Sequence, residues 1–148
     1  MAVTRPLEPD DLPAVMAYDR PFFPDDRQGF MRVWVAPRAG TARQTHVAEA
    51  DGSLTGFGVI RACRTGHKIG PLFADDARTA EALFVSLAAT AAPGEPVSLD
   101  VPETNREATA LAGRFGLTPS FETARMYRGP APDLPTGRSF GVTTFELG

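Results

Sequence analysis

The sequence is poor in cysteine and lacks a long apolar run. Its 148 residues include one cysteine, Cys63, which excludes an intrachain disulfide and a zinc site built on cysteines. The longest apolar stretch, residues 82–92, is interrupted by Ser86 and Thr90 and is too short to span a bilayer. The first residues lack the apolar core of a signal peptide. We therefore expect a cytoplasmic protein with no membrane partner.

Basic charge is also scarce. The formal net charge at pH 7 is −3, and Lys68 is the single lysine among 15 basic residues. The arginines are spread along the chain, whereas a nucleic-acid groove usually has a net basic balance or a clustered patch. We therefore expect no nucleic-acid partner.

Turn residues divide the chain into periodic segments. The 14 glycines and 14 prolines fall between these segments and so indicate turns rather than disorder. The predicted order is strand, helix, helix, three strands, helix, strand, helix and two strands. The predicted strands are residues 3–7, 46–50, 54–63, 67–73, 97–101, 121–127 and 139–147. The predicted helix starts are Asp10 or Asp11, Asp25 or Asp26, Asp75 or Asp76, and the capping-box sequence Thr104-Asn105-Arg106-Glu107.

Two helices show which side chains should be buried. In the third helix one face carries Ala80, Leu83, Phe84, Leu87, Ala88 and Ala91, and the fourth carries Leu111 and Phe115. The strand–helix–strand unit between residues 67 and 101 requires at least one parallel strand pair. The prediction is a single α/β (α+β) domain, residues 1–148, with a mixed, mostly antiparallel sheet of about seven strands and helices on both faces.

Several short runs are more specific than the element order. Arg5-Pro6-Leu7 precedes Pro9-Asp10-Asp11-Leu12, and Leu99-Asp100-Val101 precedes Asn105, Ala108, Gly116 and Leu117. Longer runs are KIGPLFAD at 68–75, DVPETN at 100–105, TARMYRG at 123–129 and TTFELG at 143–148. With the element order, these runs make the whole chain resemble the GNAT acyltransferase superfamily. A closer resemblance is to the C-terminal GNAT-like half of tandem GNAT proteins, here standing alone.

The resemblance implies N-acyl transfer, in which an amine of a small molecule attacks the thioester of acetyl-CoA or another acyl-CoA. It implies that backbone N–H groups hold the thioester carbonyl at Leu72, Phe73 and Ala74. Further CoA contacts are implied at Arg78, Thr79 and Asn105. The cleft is then expected where the strands 67–73 and 97–101 diverge.

Two departures from the family pattern concern this donor site. The family's pyrophosphate loop has the form Arg/Gln-x-x-Gly-x-Gly/Ala, but residues 73–79 read FADDART and lack both glycines. Asp75 and Asp76 bring negative charge to the helix start, so we expect weak CoA binding. The tyrosine that often acts as general acid, seven residues after the motif asparagine, is replaced by Ala112. The alternative is a non-catalytic GNAT-like module that binds a ligand or a partner protein.

Candidates for proton transfer are His67, Glu122 and Tyr127. Histidine is a common general base in enzymes, so His67 can serve as the base, or it is a turn histidine. Glu122 accepts a proton or binds an ammonium group, or it is a solvated strand residue. Tyr127 replaces the missing acid or packs at a sheet edge. Cys63 is interpreted as a buried strand-end residue rather than a nucleophile.

Arginine recognises carboxylates and phosphates, which makes an anionic acceptor a hypothesis; surface salt bridges are the alternative. The candidate substrate-binding residues are Arg27, Trp34, Arg61 and Arg125. We predict no metal, because Glu107 is assigned to the capping box and Asp100 to a strand-end hydrogen bond. A homodimer is also predicted, with pairing through the last strand, residues 139–147.

Overall fold

A computed structural model describes residues 2–37 and 40–147. Within these residues it contains six strands and four α-helices. They are β1 Val3–Pro6, α1 Leu12–Asp19, α2 Gln28–Val35, β2 Gln44–Ala50, β3 Ser53–Ala62, β4 His67–Ala74, α3 Ala77–Ala88, β5 Val97–Leu99, α4 Arg106–Arg114 and β6 Ser139–Gly141. None of the helices in the described ranges has the length and apolar character needed to cross a membrane.

The six strands form one mixed sheet. The strands β1, β2, β3, β4 and β5 lie side by side in that order, and β6 also pairs with β4. All neighbouring strands are antiparallel except β4 and β5, which are parallel and joined through α3. The predicted mostly antiparallel α/β sheet is therefore confirmed, with six strands in the described residues instead of about seven.

Side-chain caps begin the last two helices. Asp76 accepts a hydrogen bond from the Thr79 backbone N–H at 2.8 Å and begins α3, as predicted. Asn105 begins α4, because its Oδ1 accepts from the backbone N–H groups of Glu107 and Ala108, both at 3.1 Å. The predicted capping box beginning at Thr104 is wrong, because Asn105 already bonds the free N–H groups of the first turn.

Each sheet face carries its own apolar cluster. One face packs Ile60, Ile69 and Leu72 against α3 and α4, and the opposite face packs Val47, Phe57, Val59 and Phe73 against α1 and α2. The predicted core residues Leu83, Phe84, Leu87 and Leu111 are buried. Phe115 was predicted in the core but is 41% exposed. It follows the last turn of α4, and its ring lies beside that of Phe84, at 4.8 Å between centroids.

Strands β4 and β5 part after three paired residues. Their parallel pairing runs from His67 opposite Val97 to Ile69 opposite Leu99. Beyond Ile69, β6 takes the place of β5 along β4, with Gly141 opposite Leu72. We call this divergence the fork, and residues 136–144, which lie across it, the C-terminal segment.

The C-terminal segment fits the fork because glycines allow close contact. A Cβ atom on Gly70 would lie 2.6 Å from the carbonyl oxygens of Val142 and Thr143, and one on Gly141 would lie 2.5 Å from Leu99 Cδ1. The backbone N–H of Val142 then donates to the Asp100 carbonyl at 3.0 Å. The segment therefore bonds to both arms of the fork.

Two predicted strands differ in the structure. Residues 121–127 form no strand, and they are all exposed, so no neighbouring strand orders them. The predicted strand 139–147 is reduced to Ser139–Gly141, because at Val142 the hydrogen bonding changes from β4 to the end of β5.

Side chains from three distant parts of the chain hold the C-terminal segment. Asn105 Nδ2 donates to the carbonyl oxygens of Ser139 at 2.9 Å and Gly137 at 3.3 Å. Arg27 Nη1 donates to Thr143 Oγ1 at 3.2 Å. Arg138, within the segment, pairs with Asp75 at 2.9 Å. The segment is thus fixed to α4, to the start of α2 and to the start of α3.

Leu87→Ala should lower the free energy of unfolding by about 2–5 kcal/mol, because it leaves a cavity against β3. Leu87 is fully buried, and Gly58 leaves room for its Cδ1. Val85→Ala in the same helix is the control, since Val85 is 48% exposed and should change stability by less than about 0.5 kcal/mol. Urea denaturation measures both. Equal losses for the two variants would mean that α3 packs through another face.

Asn105→Ala should cost about 1–3 kcal/mol, because it removes a cap and leaves the Ser139 carbonyl without its donor. Thr104→Ala is the matched control and should cost less than about 0.5 kcal/mol. Asn105→Asp keeps a cap oxygen but loses the Nδ2 donors, so it should also be destabilised. The reverse order of stabilities for the two alanine variants would support the capping box at Thr104 instead.

Candidate active site

The strand predicted to hold the thioester carbonyl has neighbours on both sides. Leu72, Phe73 and Ala74 are buried in the outer half of β4. On one side they pair with residues 56–58 of β3. On the other side β6 pairs with Leu72 and Phe73. The edge of β4 on which free N–H groups were expected is thus covered by the C-terminal segment.

The N-terminus of α3 carries two acidic residues. The Thr79 backbone N–H, the Thr79 hydroxyl and the Arg78 backbone N–H hold the pKa of the Asp76 carboxyl below its usual range. Asp76 therefore stays ionised at neutral pH. It also occupies the Thr79 N–H, which was a predicted CoA contact. Arg78, one residue earlier, is exposed.

Asp75 belongs to a cluster that closes over the same helix end. Its Oδ1 lies 2.8 Å from the Tyr18 hydroxyl and 2.9 Å from Arg138 Nη2. The Arg138 guanidinium also lies over the rings of Tyr18 and Phe22, at 4.9 and 5.3 Å. Burial is the main cause that raises the pKa of Tyr18, so its hydroxyl stays protonated and remains a donor. Arg138 thereby connects the C-terminal segment to α1 and to the start of α3.

Tyr18 and Arg138 were missed by sequence reasoning. Arg138 lies 63 residues from Asp75 along the chain, and no local pattern relates two residues so far apart. A short motif could not have found this cluster.

Two predicted substrate-binding residues lie together on the α2 side of the sheet. Trp34 Nε1 donates to the Gly70 carbonyl at 3.0 Å, which places the indole beside the fork. The guanidinium carbons of Arg61 and Arg43 lie 5.4 and 4.7 Å from the centroid of the Trp34 ring. Arg43 was not among the predicted residues, because it precedes a strand and shows no motif.

Arg27 is used within the fold. Its side chain is 8% exposed and forms two hydrogen bonds to the Asp19 carboxylate, at 2.7 and 2.9 Å. The same guanidinium lies over the Phe23 ring at 5.0 Å. Asp19 is itself buried, so the pair provides the countercharge that each buried group needs. Arg27 therefore links α1, the start of α2 and Thr143 of the C-terminal segment.

The candidates for proton transfer do not meet in one place. His67 lies at the start of β4, with Nδ1 2.8 Å from Glu95 Oε2. Seven residues of strand, about 23 Å, separate it from Ala74. Glu122, Arg125 and Tyr127 are exposed and lie outside any strand, and Arg125 Nη1 is 3.5 Å from the Tyr127 hydroxyl.

The environment of Cys63 differs from the predicted one, and Asp100 forms an ion pair. Cys63 was predicted to be buried but is exposed, because β3 ends at Ala62 and Cys63 falls in the turn before β4. Asp100 pairs with Lys68 at 2.6 Å. Among the described residues, no group of three or more His, Cys, Asp or Glu side chains has the geometry to hold a metal ion.

A shallow groove of about 560 Å³ lies between the turn after α1 and the proline-rich stretch before β6. Its walls are mostly apolar, with one arginine and one aspartate. They are formed by Arg20, Pro21, Phe23, Pro24, Pro132, Asp133, Leu134 and Pro135. The groove is open to solvent.

Comparison with known proteins agrees with this architecture. The chain is 24% identical over 139 residues to holothin acyltransferase of Pseudoalteromonas sp. (strain SANK 73390), covering 94% of this chain and 46% of that protein. A proposed acetyltransferase of Pyrococcus horikoshii is 25% identical with a TM-score of 0.72, over 99% of this chain and 46% of that one. The chain thus spans about half the length of these two relatives.

A further match is to a protein of similar length. The aminoglycoside acetyltransferase AAC(6')-Iy, in complex with a bisubstrate analogue of CoA and acetylneamine, has a TM-score of 0.64 at 14% identity, over 88% of this chain and 99% of that one. This likeness is one of fold. The family model described as an acetyltransferase (GNAT) domain matches residues 15–141. Because that match covers most of the chain, the protein belongs to the GNAT acetyltransferase domain family.

Proposed function

We propose that this chain is an acyl-CoA-dependent N-acyltransferase that transfers an acetyl group to an amine of a small molecule. Membership of the GNAT family carries the proposal, and the fork between β4 and β5 supports it. The acceptor nitrogen forms a bond to the acyl carbon, and the carbon–sulfur bond breaks. The proton lost by the amine is transferred to the CoA thiolate, which leaves as the thiol. A related fold with a bound bisubstrate CoA analogue supports the donor assignment.

The donor site does not fit CoA as the residues are now arranged. The C-terminal segment pairs with the outer half of β4. At the start of α3, Asp75 is paired with Arg138, and the ionised carboxylate of Asp76 caps the helix. Two unit charges 4 Å apart repel by about 4 kcal/mol at an effective dielectric constant of about 20. A helix dipole contributes only about 0.3–1 kcal/mol, or up to about 2 in favourable geometry. We therefore propose that the donor binds weakly and only when the C-terminal segment leaves β4.

We propose that the acceptor is a small organic amine. The proposal is supported by one relative named holothin acyltransferase and by a second protein in complex with a bisubstrate analogue of CoA and acetylneamine. The roles of His67, Glu122 and Tyr127 in proton transfer stay predictions.

A cytoplasmic location and a homodimer also stay proposals. The last strand pairs with β4 along one side, so the predicted contact between two copies would use its other edge. Among the described strands, β1 also has a single neighbour, β2, and is a second candidate edge. Light scattering at tens of micromolar distinguishes a dimer from a monomer.

Isothermal titration with acetyl-CoA should give a dissociation constant nearer to about 1 mM than to about 1 μM, a difference of about 4 kcal/mol. The physical reason is the charge at α3 and the covered edge of β4. Acetylation of a panel of small amines, followed by mass spectrometry, tests turnover in the same preparation. Low-micromolar affinity would contradict the donor argument. Measurable donor binding without acetyl transfer to any amine of the panel would contradict the proposed activity.

Asp76→Asn should tighten acetyl-CoA binding, because it removes one negative charge and keeps the oxygen that caps α3. Arg78→Ala should weaken binding further, since it removes a positive charge from the same turn. Asp10→Asn is the control for the change in net charge, because Asp10 is exposed and lies in the turn before α1. Equal affinities for Asp76→Asn and Asp10→Asn would mean that charge at this helix end does not limit donor binding.

A further inference from the structure

Three cationic side chains form a row across three neighbouring strands. Arg61 of β3 lies opposite Lys68 of β4. Gln44 lies opposite Ile60, so Arg43, which precedes Gln44, comes next to Arg61 on the other side. Like charges at opposite positions of a sheet destabilise it. Local interactions that lower the stability of a fold are expected mainly at functional sites.

Trp34 gives the row a fixed base. Its ring stacks on Phe30 with centroids 5.3 Å apart, and its Nε1 is bonded to the Gly70 carbonyl. The indole therefore keeps one position, and the ring electrons attract Arg43 and Arg61. Gly70 is the first residue of β4 beyond the last pair with β5, so the row lies next to the fork.

Arg61 has no carboxylate partner among the described residues. Lys68 pairs with Asp100 at 2.6 Å. Arg61 contacts the sulfur of Cys63 at 3.6 Å, and its Nε is buried without a hydrogen-bond partner. No carboxylate of the described residues lies within 4.0 Å of its guanidinium nitrogens. A buried donor without an acceptor is uncommon in folded proteins.

One carboxylate of the chain already lies in the field of this row. The pKa of Glu146 is held below its usual range first by its own backbone N–H and then by the Thr144 hydroxyl, and the positive charges of Lys68 and Arg61 add to this. Glu146 is exposed, and it forms no ion pair with Arg61 within 4.0 Å. The row therefore attracts carboxylates.

We propose that Arg61, flanked by Arg43 and Lys68 above Trp34, binds the carboxylate of a small acceptor amine. The guanidinium of Arg61 matches a carboxylate with two parallel hydrogen bonds, and its single positive charge suits a monoanion better than a phosphate dianion. A carboxylate held here places an amino group a few bonds away at the fork. The inference rests on the proposed function and names its acceptor class as amino carboxylates.

Trp34 fluorescence tests binding directly, because Trp34 is the only tryptophan. The probe is 4-aminobutyrate, compared at constant ionic strength with 1-aminobutane, which lacks only the carboxylate, and with inorganic phosphate. We expect a saturable change with 4-aminobutyrate, none with 1-aminobutane and weaker binding of phosphate. Equal responses to the two amines, tighter binding of phosphate, or no saturable response would overturn the proposal.

Variants separate Arg61 from general charge. Arg61→Gln should weaken 4-aminobutyrate at least tenfold, and Arg61→Lys should give an intermediate value because it keeps the charge without the fork. Arg64→Gln, an exposed residue of the following turn, should bind as the unaltered protein does. Circular dichroism verifies folding, and Arg61→Lys serves if the glutamine variant fails to fold. Unchanged affinity in both Arg61 variants would overturn the assignment.

Turnover distinguishes this inference from the function on which it rests. Saturable binding that depends on Arg61, without acetyl transfer, would uphold the carboxylate site and contradict the proposed activity. Acetyl transfer to both amines with equal kcat/KM, unaffected by Arg61→Gln, would uphold the activity and overturn the site.

Discussion

The pairing of β6 with the outer half of β4 is the interaction on which the rest of this structure depends. It holds the C-terminal segment across the fork, so that β4 has a hydrogen-bonded neighbour along both halves of its length. Asn105 at the start of α4 and Arg27 at the start of α2 bond to the segment. Arg138 of the segment pairs with Asp75 before α3. The same contacts that complete the sheet cover the edge that an acyl donor would use.

The outer half of β4 both pairs with the C-terminal segment and is the predicted contact for the donor. The expected affinity for the donor therefore depends on release of the segment. Each hydrogen bond between the segment and the fold contributes about 0.5–1.5 kcal/mol net, so release of several of them is costly. A ligand that binds only the released state has its affinity reduced by the fraction of molecules in that state. Weak donor binding then follows from two separate causes, the closed fork and the negative charge at α3. A charge-removing variant such as Asp76→Asn changes only the second cause.

The sequence predicts those parts of the fold that depend on local patterns. The meander of β2, β3 and β4 follows from alternation and turn residues, and α3 follows from an apolar stripe with Asp76 as its cap. Where two local signals compete, the pattern alone does not decide: Thr104 fits a capping box, but Asn105 also bonds Ser139, a contact 34 residues away. Residues 121–127 have the composition of a strand but no neighbour to pair with.

The candidate site depends on contacts between residues far apart in sequence. Arg61 and Trp34 were predicted to bind substrate, but only the register of three strands places Arg43 and Lys68 beside Arg61. The cluster of Tyr18, Asp75 and Arg138 joins α1, the start of α3 and the C-terminal segment, and no short motif contains it. Tertiary register, rather than motif, therefore decides which polar groups meet at the fork.

Amide hydrogen exchange of residues 139–142, with and without saturating acetyl-CoA, tests most directly whether the donor requires release of the C-terminal segment. We expect slow exchange in the free protein and faster exchange at Gly141 and Val142 when the donor is bound, because their bonds to β4 and Asp100 are then lost. Saturation by acetyl-CoA with unchanged or slower exchange in these residues would contradict the account.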